Sequence, residues 1–199
     1  MSSFSQTNIK CGGGLELVLS EIKKLMPIGE EKWLEEKKEW LSSSQIKDRN
    51  TIVISKNQSL DWVELELNFD GNIYIYDEYL RRISSALGTQ ILIGYYQSTT
   101  GEGRLAKFDE GRLEMSFYKK YVYFKFHGDD SPPIDRIYVA DNFGVNSAKI
   151  EMLRASRFGA DSNLIDHDFI DEYFKSEGWQ RNSDIDYFDW KYLHLEEHK

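Results

Sequence analysis

The sequence predicts an α+β fold: a mostly antiparallel sheet of about five to seven strands, with an N-terminal helical hairpin and C-terminal helices packed on it. Three observations predict it. Over residues 62–68, Val63, Leu65 and Leu67 alternate with Glu64, Glu66 and Asn68. That period of two marks a half-buried strand with a charged outer face. Gln90–Gln97 and residues 104–108, 112–118 and 121–126 are rich in β-branched or aromatic side chains, with short turn signals between several of them. Between these two regions, Asp77–Leu87 sets Tyr79, Leu80, Ile83, Ala86 and Leu87 at helical spacing, and Gly88 closes the run.

Taken in order, residues 1–14 read as a flexible lead, because Gly12, Gly13 and Gly14 are costly to order. Residues 15–199 read as one domain. Its first part, 15–50, is a helical hairpin. Leu15, Val18, Leu19, Ile22, Leu25 and Met26 form one apolar stripe that Pro27 stops, and residues 30–41 form a second, highly charged helix carrying Trp33, Leu34, Trp40 and Leu41. The sheet core spans 51–139. It begins with a short apolar strand at 51–55, and Asp70-Gly71 turns the strand of 62–68 into a short return strand at 72–76. Asp77 is the expected N-cap of the following helix. Gln90–Gln97, almost without polar breaks, is the expected central strand. Asp129, Asp130, Pro132 and Pro133 break the sheet before a further strand at 134–139. The last part, 140–199, is expected to be acidic, aromatic and helical, with helices at 147–158 and 166–175.

A chain of 199 residues buries roughly 70% of its unfolded surface and folds without disulfides or metal. Cys11 is the only cysteine, so no intrachain disulfide forms. No run approaches the ~20 apolar residues that span a bilayer. The first residues carry no basic and apolar leader, so a cytoplasmic location is expected. Net charge is −9, which opposes a phosphate backbone and suits a basic protein partner. The expectation is no nucleic acid, no membrane and no cofactor.

From Ala160 onward there are 11 acids against 4 bases, so seven of the nine net negative charges lie in the last 40 residues. They are interleaved with Tyr187, Phe188, Trp190 and Tyr192. Aromatics supply rigid contact area, and carboxylates pair with Lys and Arg. Asp184, Asp186, Tyr187, Asp189 and Trp190 are therefore the expected partner-binding residues. Aromatics packed on the sheet with acids in water would give the same composition.

Other constellations are thinner. Asp166, His167 and Asp168, with Asp171 and Glu172 nearby, could offer oxygen and imidazole ligands to Mn²⁺ or Mg²⁺. The same residues fit an acidic helix start favoured by the helix dipole. No Gly-x-Ser-x-Gly elbow and no His-Glu-x-x-His motif is present. Asp129 and Asp130 read as an acidic turn. Arg81, Arg82, Arg104 and Arg112 read as counter-charges to Glu64, Glu66, Glu102 and Glu114.

The segment Tyr79-Leu80-Arg81-Arg82-Ile83-Ser84-Ser85-Ala86-Leu87-Gly88-Thr89-Gln90-Ile91-Leu92, then Gly94-Tyr95-Tyr96-Gln97, then Phe108-Asp109-Glu110-Gly111-Arg112 resembles the layout of small immunity proteins. These are cytoplasmic antidotes of bacterial contact-dependent and polymorphic toxin systems. In that layout a helix ending in Leu-Gly feeds a strand, and a hairpin with an acidic-Gly turn follows. The resemblance implies a binding protein rather than an enzyme, one that covers the active site of a basic toxin. Two other readings stand beside it. One is a phage or mobile-element protein that binds a host defence component. The other is a metal-assisted hydrolase using Asp166, His167 and Asp168.

Overall fold

The computed structural model describes residues 3–12, 14–25, 28–34, 51–57, 61–67, 72–97, 101–122, 136–155, 165–179 and 190–197. It is an α+β fold. In chain order the elements are β1 (Ser3–Lys10), α1 (Leu15–Leu25), β2 (Ile28–Leu34), β3 (Thr51–Asn57), β4 (Trp62–Glu66), α2 (Asp77–Leu87), β5 (Gln90–Gln97), β6 (Glu102–Asp109), β7 (Arg112–Val122), β8 (Arg136–Phe143), α3 (Ser147–Ala155), α4 (His167–Ser176) and β9 (Trp190–Glu197). The strands form one antiparallel sheet in the order β2-β9-β3-β4-β1-β5-β6-β7-β8.

Helices cover both faces. On one, α1 and α2 pack on Ile9, Ile54, Val63, Leu65, Ile91, Ile93, Ala106 and Phe108. On the other, α3 and α4 pack on Leu92, Leu105, Met115 and Phe117. Successive side chains of a strand point to opposite faces, so β5 is buried from Ile91 to Tyr95 because both of its faces are covered. The expected central strand is thus central.

Two glycines let α4 lie close to the sheet. A Cβ at Gly94 of β5 would collide with Ile170 Cγ2, and one at Gly103 of β6 with the backbone and side chain of Ile165. The helix α2 ends as its sequence implies. Gly88 adopts the left-handed conformation, φ 56° and ψ 45°, and the N–H groups of Gly88 and Thr89 donate back to the Ser85 and Ser84 carbonyls. Ser84, fully buried, fastens that end. Its hydroxyl donates to Thr89 O at 2.6 Å and accepts from Gly111 N at 2.9 Å.

Several expectations are corrected. The flexible lead of residues 1–14 is an interior strand: Ser3–Lys10 pairs with β4 on one side and β5 on the other. Gly12 and Gly14 lie between it and α1, and Cys11 is buried there. The second helix of the hairpin, 30–41, is replaced over Ile28–Leu34 by the edge strand β2, and 35–41 lie outside the described residues. Its Glu30, Glu31 and Lys32 suit an edge, where charges discourage pairing with another chain. The return strand at 72–76 is a turn running into α2. Strands expected at 112–118 and 121–126 are one strand through Val122. Within the expected helical C-terminal part, Trp190–Glu197 is instead a strand inserted between β2 and β3. These additions raise the strand count to nine among the described residues.

Candidate functional site

Where β5 to β8 lie side by side, one row of side chains faces α2. The register pairs Tyr95 with Arg104, Arg104 with Tyr118, and Tyr118 with Asp141. Arg104 is 0% exposed. A buried guanidinium is costly unless its charge is paired and its donors are met; here both Nη atoms are engaged, and Nε has no hydrogen-bond partner among the described residues. Its Nη1 donates to Asp77 Oδ1 at 2.8 Å and to Ile73 O at 2.6 Å, and its Nη2 donates to Asp77 Oδ2 at 2.6 Å. Its carbon Cζ lies 4.2 Å from the Tyr74 ring centroid. Asp77, the expected N-cap, is instead the first residue of α2, and its carboxylate is turned to Arg104. Tyr76 takes the cap position, and its side chain does not cap the helix.

Around this pair the hydroxyl and carboxylate groups are coupled. Tyr118 donates to Glu102 Oε1 at 2.5 Å, and Lys120 lies 3.4 Å from Glu102 Oε2. Burial first, and then the bond to Glu102, push the Tyr118 hydroxyl up. Burial also raises Tyr74. Arg104 pulls the other way, and the negative charges of Asp141, Asp77 and Glu102 add to the rise.

The outer rim of this cluster is apolar and open. Tyr74 is 40% exposed, Ile75 48% and Phe143 55%. The Tyr74 ring lies 6.4 Å from that of Tyr118, which faces Asp141 across the β7–β8 pair. Asp141 and Phe143 are two apart on β8 and so share that face. Asp141 Oδ1 accepts from Phe143 N at 3.2 Å. Arg104 and Lys120 are engaged by Asp77 and Glu102, and among the described residues no cation pairs with Asp141.

Of the expected partner-binding residues, Asp184, Asp186, Tyr187 and Asp189 lie outside the described residues. Trp190 opens β9, opposite Asn57 of β3. Just before this segment, Trp179 is buried against Phe174, ring centroids 5.8 Å apart and edge-on. The ten residues 180–189 therefore connect a core tryptophan to the first residue of an interior strand.

The metal alternative fares differently at each residue. Asp166 is the N-cap of α4, accepting from Phe169 N at 3.0 Å, which uses its carboxylate for the helix. His167 Nδ1 lies 3.2 Å from Asp168 Oδ1, and the Asp168 side chain is largely exposed. Among the described residues, no three His, Cys, Asp or Glu side chains are grouped to hold a metal ion. Asp129 and Asp130 lie outside the described residues. Arg81 and Arg82 pair with Glu78 on the same helix and Arg104 with the distant Asp77; among the described residues, only Arg112 lies by a residue expected for it, Glu114, at 3.9 Å.

Two further polar groups lie on the opposite face. Glu177 accepts from Lys107 at 2.8 Å and from Lys149, and Lys149 stands 4.7 Å from the Tyr173 ring centroid. Burial would raise the Glu177 carboxyl, but the bonds from the two lysines outweigh it and hold it low. This network ties α3, α4 and β6 together. On β4, Glu66 is pushed up to about 7, first by burial and then by Glu64 two residues away. Across the β1–β4 pair, Glu64 faces Asn8, which is fully buried and whose Nδ2 has no hydrogen-bond partner among the described residues.

No family model, curated protein or solved structure matches the chain. Among the described residues, no helix is long and apolar enough to cross a membrane.

Proposed function

We propose that the chain is an acidic, cytoplasmic binding protein of the immunity type, which neutralises a basic bacterial toxin by covering its active site. What supports this reading is the composition of residues 180–189, acidic and aromatic in sequence, together with their chain neighbours: Trp179 is packed in the core and Trp190 is the first residue of β9. Anchoring both ends lowers the ordering cost of a binding segment. The net charge of −9 speeds encounter with a basic partner. Asp184, Asp186 and Asp189 pair with its Lys and Arg side chains, and Tyr187 and Trp190 supply contact area.

The test is capture from the producing organism's lysate at low and high salt, with intact-mass detection. The expected result is one basic protein, held at low salt and weakened at high salt, whose isolated activity stops when the chain is added. Retention of no basic protein at either salt contradicts the reading.

A further inference from the structure

We propose that Asp141, Phe143 and Tyr74 form a seat for an arginine side chain of the partner. The inference rests on the reading that the chain binds a basic protein, and it adds a second contact to that expected of residues 184–190. Three observations carry it. The rim presents Tyr74, Ile75 and Phe143 at 40%, 48% and 55% exposure. Exposed aromatics gathered beside a carboxylate are a recurrent setting for a binding surface. Asp141 is a half-buried carboxylate to which, among the described residues, no cation is paired, whereas the neighbouring Arg104 and Lys120 are spent on Asp77 and Glu102. The negative charges of Asp141, Asp77 and Glu102 all reach the Tyr74 hydroxyl.

Complementarity then selects the occupant. Among the described residues no cation pairs with Asp141, and the site offers aromatic surface beside that carboxylate. An arginine meets both needs: its planar guanidinium bonds a carboxylate through two N–H groups and stacks on a ring. A lysine ammonium, a compact and strongly hydrated charge, meets only the first. Arg104 already occupies one side of the Tyr74 ring, so the incoming guanidinium lies against Phe143, and Tyr74 closes the rim. Arg104 itself shows the same pattern inside the protein, a guanidinium held by a carboxylate and a tyrosine ring.

The probes are fluorescein-labelled nona-arginine and nona-lysine peptides, which carry equal charge, titrated at low salt by fluorescence anisotropy. The full chain is expected to bind the arginine peptide more tightly. Phe143→Ala and Asp141→Asn should each weaken the arginine peptide by about five-fold or more and shrink the arginine–lysine difference. Glu16→Gln, an exposed acid on α1, serves as the control and should change neither. Circular dichroism checks that each variant is folded, and Asp141→Asn keeps the side chain's shape. Unchanged arginine binding in both patch variants overturns the proposal, as does an equal loss for the two peptides. The triple variant Asp184→Lys, Asp186→Lys, Asp189→Lys separates this inference from the wider reading. Loss there, with none in the patch variants, leaves the wider reading standing and removes this one. A wild-type chain that binds neither peptide counts against both.

Discussion

Arg104 and Asp77 face each other as a two-pronged ion pair, with Nη1 2.8 Å from Oδ1 and Nη2 2.6 Å from Oδ2, between the middle of the sheet and the first turn of α2. The pair fixes where α2 begins, and with it the turn that presents Tyr74 and Ile75. Removing one partner leaves a buried charge unmatched. Asp77→Ala should therefore lower stability by about 3 kcal/mol, and Arg104→Met combined with Asp77→Leu by less than Asp77→Ala alone. Urea unfolding measures both. A loss for Asp77→Ala no larger than that of an ordinary surface substitution would show that the pair does not hold the junction.

Glu66 makes stability depend on pH. Its carboxyl is pushed up to about 7 from an ordinary value of 4.5, so in that interval the folded state binds a proton that the unfolded state has released. This contribution is fully present below about 4.5 and is lost as pH rises through 7. Glu66→Gln should therefore stabilise the protein by on the order of 2 kcal/mol at pH 8 and match the wild type near pH 4.5. Thermal unfolding across that range reads the crossover. Parallel curves for the two proteins would refute it.

Gly94 sets the distance between α4 and β5. Gly94→Ala drives a methyl into Ile170 and toward the Phe174 ring, and should cost about 2 kcal/mol. Ile170→Ala in the same chain should recover part of that loss, because it empties the space the new methyl needs. A double variant with the summed losses of the two single ones would mean that the contact is not shared.

Ser84 joins the end of α2 to the β6–β7 turn through one hydroxyl. Ser84→Ala removes a donor to Thr89 O and the acceptor for Gly111 N, and should cost about 2 kcal/mol. Amide hydrogen exchange offers a local check: Gly111 N–H should lose protection more than the amides at the centre of β5.

Much of the fold was legible because it rests on short-range periodicity. The stripe of α2, the unbroken apolar run of β5 and the alternation of β4 each follow from burial on one or two faces. What was not legible depends on partners far along the chain. β1 carries Thr7 and Asn8, polar yet fully buried, and is followed by glycines, so only its insertion between β4 and β5 reveals it as a core strand. The Glu-Lys run after Ile28 has good helix propensity, but pairing with β9 overrides it. In β9, Leu193 and Leu195 alternate with Tyr192 and His194, a period of two masked by the acids before it. The Arg104–Asp77 pair spans 27 residues and has no local signature. The acid excess of the C-terminal region was legible directly, and the placement of its flanking Trp179 and Trp190 was not.

The most direct test of the proposed function is the affinity of the captured basic partner, measured by titration calorimetry, for the wild-type chain and for the Asp186→Lys, Asp189→Lys variant. A loss of about 100-fold or more, close to 3 kcal/mol, is expected if these carboxylates meet the partner's Lys and Arg side chains at the centre of the interface. An unchanged Kd in a folded variant would contradict the claim that the acidic segment is the binding element.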